Sequence, residues 1–159
     1  MIEITFQEFH EQKYEEQLFR LYVMKNGLGD ILYIGITIND IWERWFGWGG
    51  HVLWDDKLIY GDSPIGVKIE NHLPDSLSWK IQLWTLEDCI EFCQRELPSD
   101  SSGVTIHAVE PIMIRKLSPA LNATYNLTPG KDTTPKNWRE RELEQRAAAA
   151  YREIFDKKR

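Results

Sequence analysis

The chain has 159 residues, a formal net charge of −6, and a composition of 42% hydrophobic and 28% charged residues. This composition predicts one globular domain with a packed core, and the acidic balance counts against a broad surface that coats nucleic acid. No apolar run is long enough to cross a bilayer, and the first twelve residues lack the basic and apolar regions of a signal peptide. We therefore expect a cytoplasmic protein that makes no contact with a membrane.

In the N-terminal part, the clearest local pattern is a β-hairpin. Residues 1–19 are predicted as a leader that holds one strand (IEITF) and a polar helical piece. Two apolar runs, 21–24 and 31–37, then flank a turn rich in asparagine and glycine, which is typical of an antiparallel hairpin. Asn39 stands where a helix N-cap belongs, and the segment IWERWF is the first predicted helix.

The middle of the chain predicts a helix, a strand and a second helix. Pro64 can open a helix that ends before Pro74, and alternating apolar residues over 77–84 indicate a strand. Thr85 with Asp88 resembles a capping box, which indicates a following helix.

Cys89 and Cys93 stand four residues apart in that helix, so both lie on one face. This spacing fits core packing, and neither a disulfide framework nor a zinc site. Residues 98–103 are a predicted loop.

The C-terminal segment differs from the acidic body that precedes it. The region 52–103 is strongly acidic, whereas residues 127–159 form a predicted charged helical arm, helical from about 137, that is richer in lysine and arginine. An arm of this kind can meet a phosphate backbone locally, although its alternating glutamates reduce the field. Three of its side chains are candidates for contact with DNA: Arg139, Arg141 and Arg146.

Residue types that carry chemistry occur at informative spacings. Tyr22 lies in the tripeptide LYV and Tyr33 in YIG, eleven residues later, on the two strands of the predicted hairpin. Arg44 follows on the next helix. Glu110 comes much later, at the head of the pattern E-x-x-M-I-x-x-x-x-P-x-L-N that ends at Asn122. Taken singly, none of these residues indicates an activity, but their order and spacing do.

This pattern resembles the GIY-YIG nuclease superfamily over residues 20–126. LYV is a relaxed form of the first motif, YIG matches the second, and Arg44 and Glu110 match the arginine and the metal-binding glutamate of the family. The resemblance implies an α/β fold with a small three-stranded, mainly antiparallel sheet flanked by helices, interrupted here by an acidic insertion at about 52–103. It also implies a metal-dependent DNA endonuclease that hydrolyses phosphodiester bonds by one-metal attack of water.

The resemblance assigns a role to each matched residue. Glu110 would bind Mg²⁺ or Mn²⁺, which keeps most of its waters and needs few protein ligands. Arg44 would hold the phosphate by paired hydrogen bonds, and Tyr22 and Tyr33 would position the attacking water. Two further residues would support the substrate side of the site. Gly35 would leave room for the backbone or substrate beside Tyr33, and Asn122 would steady the C-terminal side of the site.

Several features depart from the family pattern. Trp48 stands four residues after the arginine, where many relatives have a histidine or tyrosine, so His51 is the first candidate for the general base. Pro111 directly follows Glu110, which predicts a helix that begins near Glu110 or bends there. His107 precedes Glu110 by three residues and shares its face if the segment is helical.

The matched residues also have purely structural interpretations. Cross-strand packing accounts for paired tyrosines, and a solvated surface accounts for a lone arginine or glutamate. An alternative function is a catalytically weak or inactive GIY-YIG-shaped binding module, which interacts with a protein partner or inhibits DNA-handling proteins. The expected partner is DNA, with a protein partner or a homodimer as the alternative.

Overall fold

A computed structural model describes residues 1–12, 18–55, 58–96 and 105–156. The strands are β1 (Ile2–Thr5), β2 (Phe19–Lys25), β3 (Ile31–Ile36), β4 (Val52–Asp55), β5 (Leu58–Gly61) and β6 (Lys80–Thr85). The helices are α1 (Phe6–Gln12), α2 (Ile41–Phe46), α3 (Pro64–Asn71), α4 (Leu86–Glu96), α5 (Ile106–Leu117) and α6 (Trp138–Asp156), with a 3-10 turn at Asp75–Ser78. The predicted loop at 98–103 lies outside the described residues.

Four of the strands form one antiparallel sheet in the order β1-β6-β2-β3. The predicted α/β class, with a mainly antiparallel sheet and flanking helices, is confirmed, but the predicted count of three strands is wrong. The additional strand is β1, which pairs with β6 from Ile2 opposite Leu83 to Thr5 opposite Lys80. This pairing joins segments far apart in sequence, and local periodicity carries no information about such a partner.

Segments that were predicted to be separate fold together in this sheet. The residues predicted as a leader supply β1, and α1 buries Phe6 and Phe9 in the main core. Strand β6 belongs to the region predicted as an acidic insertion, yet it lies between β1 and β2 inside the sheet. The N-terminal segment and β6 are therefore part of the same packed body as the hairpin.

The sheet buries both of its faces, and alternation along β2 assigns each residue to one of them. Tyr22 and Met24 face a core built with α1, α2, α3 and the β4–β5 hairpin. Leu21 and Val23 face a second core built with α4 and α5. The free thiols of Cys89 and Cys93 are both buried in the second core, as predicted.

A separate two-stranded hairpin, β4 with β5, covers the first core. Val52 and Ile59 turn inward and are buried, whereas the cross-strand partners Leu53 and Tyr60 turn outward and are exposed. This alternation is the period of two that a half-buried strand requires. The hairpin joins the loop after α2 to the start of α3.

Short polar residues begin the helices that surround the sheet. The N-cap of α2 is Asp40, whose carboxylate accepts the backbone N–H of Glu43, and the predicted cap at Asn39 is wrong by one residue. Asp40 takes the cap position because its negative charge is also stabilised by the positive end of the helix dipole. The capping box at Thr85 and Asp88 is confirmed by reciprocal hydrogen bonds between them.

The helix α6 confirms the predicted C-terminal helix, and the side chains along most of its length are exposed. The segment that precedes α6 contacts α3 through ion pairs and a hydrogen bond. Lys68 forms ion pairs with Asp132 at 3.0 Å and Glu140 at 3.2 Å, and Nε2 of His72 lies 2.8 Å from the carbonyl oxygen of Pro135. Among the described helices, none combines the length and the apolar character needed to span a bilayer.

Candidate active site

The two tyrosines of the motif lie on one face of the sheet. Tyr22 on β2 pairs with Gly35 on β3, and Tyr33 lies two residues back along β3, opposite Met24. Their positions are diagonal neighbours across the two strands, which brings large side chains within reach of each other. The ring centroids are 6.3 Å apart, with 23° between the planes.

Gly35 has a different role from the one the resemblance implies. A Cβ atom at this position would lie 2.3 Å from the hydroxyl oxygen of Tyr22 and 2.5 Å from its Cζ. The space above Gly35 is therefore filled by the ring of Tyr22, and not left open for substrate. A glycine is required here because the phenol lies flat across its cross-strand partner.

His51 lies beneath these rings at the start of the β4–β5 hairpin. Its Nε2 is 2.5 Å from the hydroxyl oxygen of Tyr22, and its Nδ1 is 2.9 Å from Oγ of Ser63. Burial, together with the nearby charge of Arg44, lowers the pKa of His51 to about 4. The imidazole is therefore neutral at neutral pH, and its two nitrogens join the two hydroxyl groups.

Arg44 places a cation above the same phenols from α2. The side chain is exposed, and it acts on the hydroxyl group of Tyr22 by lowering the pKa of that phenol. Burial raises the pKa of both Tyr22 and Tyr33, and the charge of Arg44 only partly offsets that rise. Both phenols therefore keep their protons at neutral pH and can donate hydrogen bonds.

Glu110 reaches the site from α5, on the other side of β3. Its half-buried side chain lies close to the backbone N–H of Ile36, the last residue of β3. Burial raises the pKa of Glu110, while His107, Arg44 and the Ile36 N–H oppose the rise. The carboxylate also acts on the pKa of both tyrosines, so it shares their electrostatic environment.

The helix that carries Glu110 does not begin where Pro111 suggested. It begins at Ile106, four residues before Glu110, and Pro111 lies inside it. A proline has no N–H to donate, so the carbonyl of His107 loses its helical hydrogen bond. His107 and Glu110 lie on one side of this helix, as their spacing predicted, and His107 lowers the pKa of Glu110.

Five predicted residues thus meet at the edge of the sheet, in two layers. Tyr22 and His51 form a buried floor, with 1% and 3% of their surfaces exposed. Tyr33, Arg44 and Glu110 form a rim that is open to solvent. Four elements of the fold supply them, which are β2, β3, α2 and α5, together with the loop before β4.

Asn122 does not face this site. Its side-chain oxygen accepts the backbone N–H of Ile34 at 2.9 Å, and its side-chain nitrogen donates to the carbonyl oxygen of the same residue at 2.8 Å. Ala120 and Leu121 donate to the carbonyl oxygens of Ile31 and Leu32. The segment therefore continues the sheet along the free edge of β3, and the amide of Asn122 fastens that edge rather than a substrate.

The arginines of the C-terminal arm also lie apart from the five residues. Arg139 forms an ion pair with Glu70 at 3.7 Å, and Arg146 one with Glu142 at 2.5 Å. Within the described part of the chain, no hydrogen bond or ion pair joins Arg139, Arg141 or Arg146 to the site.

Ser63 is a member of the site that the sequence did not reveal. It caps α3 by accepting the backbone N–H of Gly66 at 3.1 Å, and the same oxygen contacts His51. The position before Pro64 identifies a helix cap from the sequence alone. The contact with His51 depends on the return of the β4–β5 hairpin, which no local pattern specifies.

The number of carboxylates at the site limits which metal ion these residues could hold. Among the described residues, no group of three or more histidine, cysteine, aspartate or glutamate side chains is placed to bind a metal ion. Glu110 is the carboxylate at the site, with a half-buried oxygen on the open side of the rim. A single carboxylate fits Mg²⁺ or Mn²⁺ that retains several waters, and it does not fit a closed zinc site or a two-metal centre.

Comparison with known proteins identifies no relative: no protein-family model, curated protein or solved structure matches this chain.

Proposed function

We propose that the chain is a metal-dependent DNA endonuclease of the GIY-YIG type, which hydrolyses a phosphodiester bond. The observation that carries the proposal is the meeting of Arg44 and Glu110 around Tyr22 and Tyr33, from elements far apart in the sequence. A cation, a carboxylate and neutral phenols around one opening are the groups that phosphoryl transfer requires, because negative charge grows on the phosphate in the transition state.

Arg44 binds the phosphate in this proposal. Its guanidinium has no ion-pair partner within 4 Å among the residues that the structure describes, so its charge is not neutralised by an acid. The planar fork of an arginine matches two phosphate oxygens at once. Tyr33 on the rim keeps its proton and donates a further hydrogen bond to the same group.

Glu110 is the residue that would hold the metal ion. A bound Mg²⁺ or Mn²⁺ would supply positive charge at the leaving oxygen and at a non-bridging oxygen. The half-buried position of the carboxylate limits competing water. Because burial raises its pKa, Glu110 binds a cation most strongly when the solution is well above its ordinary titration range.

Tyr22 and His51 remove the proton of the attacking water. The Tyr22 hydroxyl takes a proton from the water as it passes its own to Nε2 of His51, 2.5 Å away. The imidazole is neutral at neutral pH and accepts that proton, while its Nδ1–H remains on Oγ of Ser63. The new bond joins water oxygen to phosphorus, the bond to the 3′ oxygen breaks, and solvent protonates the leaving oxygen.

Nicking of supercoiled plasmid in Mg²⁺ or Mn²⁺ tests this function. We expect Glu110→Gln to lose roughly 100-fold or more of the rate, since it keeps the shape but removes the charge that binds the ion. The matched control is Glu87→Gln, an exposed carboxylate in the first turn of α4, which keeps the rate. Arg44→Ala should lose a comparable amount through the phosphate.

The opposite results assign a different function. Metal-dependent nicking that persists in Glu110→Gln would show that the site is elsewhere. Absence of cleavage on duplex, single-stranded and branched DNA would favour the inactive binding module.

A further inference from the structure

The loop after α2 places an aromatic ring fully in solvent beside the candidate site. Trp48 is 100% exposed, whereas the neighbouring Trp45 is completely buried. The loop turns back tightly: Gly49 has φ of +73°, and a Cβ at Gly50 would lie 2.7 Å from the carbonyl oxygen of Trp45. Trp48 therefore presents its whole ring to solvent, where a planar ligand can stack on it.

Trp48 borders a cavity of about 400 Å³ that lies next to the site. The cavity is lined by the glycine loop and by the outer face of the hairpin, where Leu53 and Tyr60 are exposed. Asp62 also lines it, and the backbone N–H of Asp62 donates to the carbonyl oxygen of His51 at 3.0 Å. The volume lies in the range of ordinary small-molecule sites, which is roughly 300–1,000 Å³.

We propose that this cavity binds an unpaired nucleobase of a single-stranded or locally opened DNA substrate, stacked on Trp48. The inference rests on the proposed function and names the class of substrate that the same site takes. An aromatic ring accepts any base by its π face, and stacking requires no surface of positive charge.

The charges around the cavity orient the nucleotide. Asp62 is an acid in the lining and repels a phosphate, so the base enters and the phosphate stays outside. Arg44, whose backbone carbonyl oxygen accepts the N–H of His51, receives that phosphate in this proposal. Base stacking also accounts for how a chain with a net charge of −6 could hold DNA without a broad basic face.

The test is fluorescence anisotropy of a labelled 12-nucleotide single strand and of the same sequence as duplex, both in EDTA so that cleavage is absent. We expect the single strand to bind roughly 10-fold more tightly than the duplex, and Trp48→Ala to remove roughly 10-fold of the single-strand affinity. Trp48→Phe keeps most of the affinity, because it retains a ring. The matched control is Trp138→Ala, whose ring on α6 is 62% exposed and lies outside the cavity.

Three results overturn the inference: no binding of the single strand, equal binding of duplex, or unchanged affinity in Trp48→Ala. Sedimentation provides a further measurement, since a wild-type dimer that Trp48→Ala dissociates would make the patch a protein interface. Because Trp48 is fully exposed, its removal leaves folding intact, and thermal unfolding checks this.

The outcome is independent of the nuclease test. Strand binding that depends on Trp48 without any cleavage defeats the proposed function alone. Cleavage that depends on Glu110 but proceeds equally in Trp48→Ala defeats this inference alone.

Discussion

His51 couples the chemistry of the site to the stability of the fold. Its imidazole is buried against Trp45, with ring centroids 4.8 Å apart, and hydrogen bonds to Tyr22 and Ser63 occupy both nitrogens. Burial holds it in the neutral form by penalising the charged one. The burial that keeps His51 neutral at neutral pH therefore also makes its protonation costly for the folded state.

Acid should reveal this coupling as a loss of stability. The pKa of His51 is lowered from 6.5 to about 4, so the unfolded chain binds a proton first as the pH falls below 6.5, and the native state loses stability until about pH 4. Between pH 7.5 and 4.5 we expect His51 to contribute a loss of about 2–3 kcal/mol. Urea unfolding of the wild type and of His51→Gln at both pH values measures it.

His51→Gln should lose less stability than the wild type over that pH range, because a glutamine does not titrate. The control is Asn39→Ala, an exposed position without a titrating group, which should keep the wild-type pH dependence. Equal pH dependence in wild type and His51→Gln would mean that the imidazole is not buried as described.

The edge of β3 illustrates how an element is held in place for the site. β3 carries Tyr33 and Gly35, and its free edge is covered by the segment that ends at Asn122. An uncovered edge strand leaves backbone groups without partners and invites pairing with other chains. Asn122 thus stabilises the strand that carries Tyr33. Its side-chain hydrogen bonds go to the backbone of Ile34 and not to a residue of the site.

Replacing Asn122 by alanine should destabilise the fold by about 2–4 kcal/mol. The N–H and the carbonyl of Ile34 both lose a buried partner, and each unsatisfied group costs about 1–3 kcal/mol. Chemical denaturation measures the change, with Asn39→Ala as a control on an exposed side chain. A loss below about 0.5 kcal/mol, or weaker DNA binding by the folded variant, would instead support the role predicted from the motif, in which Asn122 supports the substrate side of the site.

The charge of the whole molecule bears on how the proposed nuclease would approach DNA. The net charge is −6, and Arg139 and Arg146 of the C-terminal arm are engaged with acids. Exposed ion pairs of this kind are weak, so a phosphate can displace the acid. Participation of the arm in DNA binding therefore remains a prediction that salt dependence can test.

Neutralising the arm should lower the salt dependence of DNA affinity. With Arg139, Arg141 and Arg146 all changed to glutamine, we expect the slope of log K against log salt to fall by up to about three, because each phosphate contact contributes about 0.7–0.9. Titrations of one duplex at several salt concentrations give the slope. An unchanged slope would place the arm outside the interface and leave Arg44 as the principal phosphate contact.

Much of the architecture could be predicted from the sequence, because these features depend on residues that are close together in the chain. Alternation identified the β2–β3 hairpin, the pair Thr85 and Asp88 identified the start of α4, and the spacing of the cysteines identified their shared buried face. The motif also named four residues that lie close together, Tyr22, Tyr33, Arg44 and Glu110, and His51, the candidate base, lies against them.

Only the folded chain decided the relations between distant segments. It placed β1 beside β6, laid the ring of Tyr22 over Gly35, set Ser63 against His51, and turned Asn122 to the edge of β3. Periodicity and capping describe each segment relative to its own axis, so they fix which face is apolar but not which partner covers it. Those partners are chosen by packing and by the need to satisfy buried polar groups across the whole chain, and both exist only once the tertiary structure has formed.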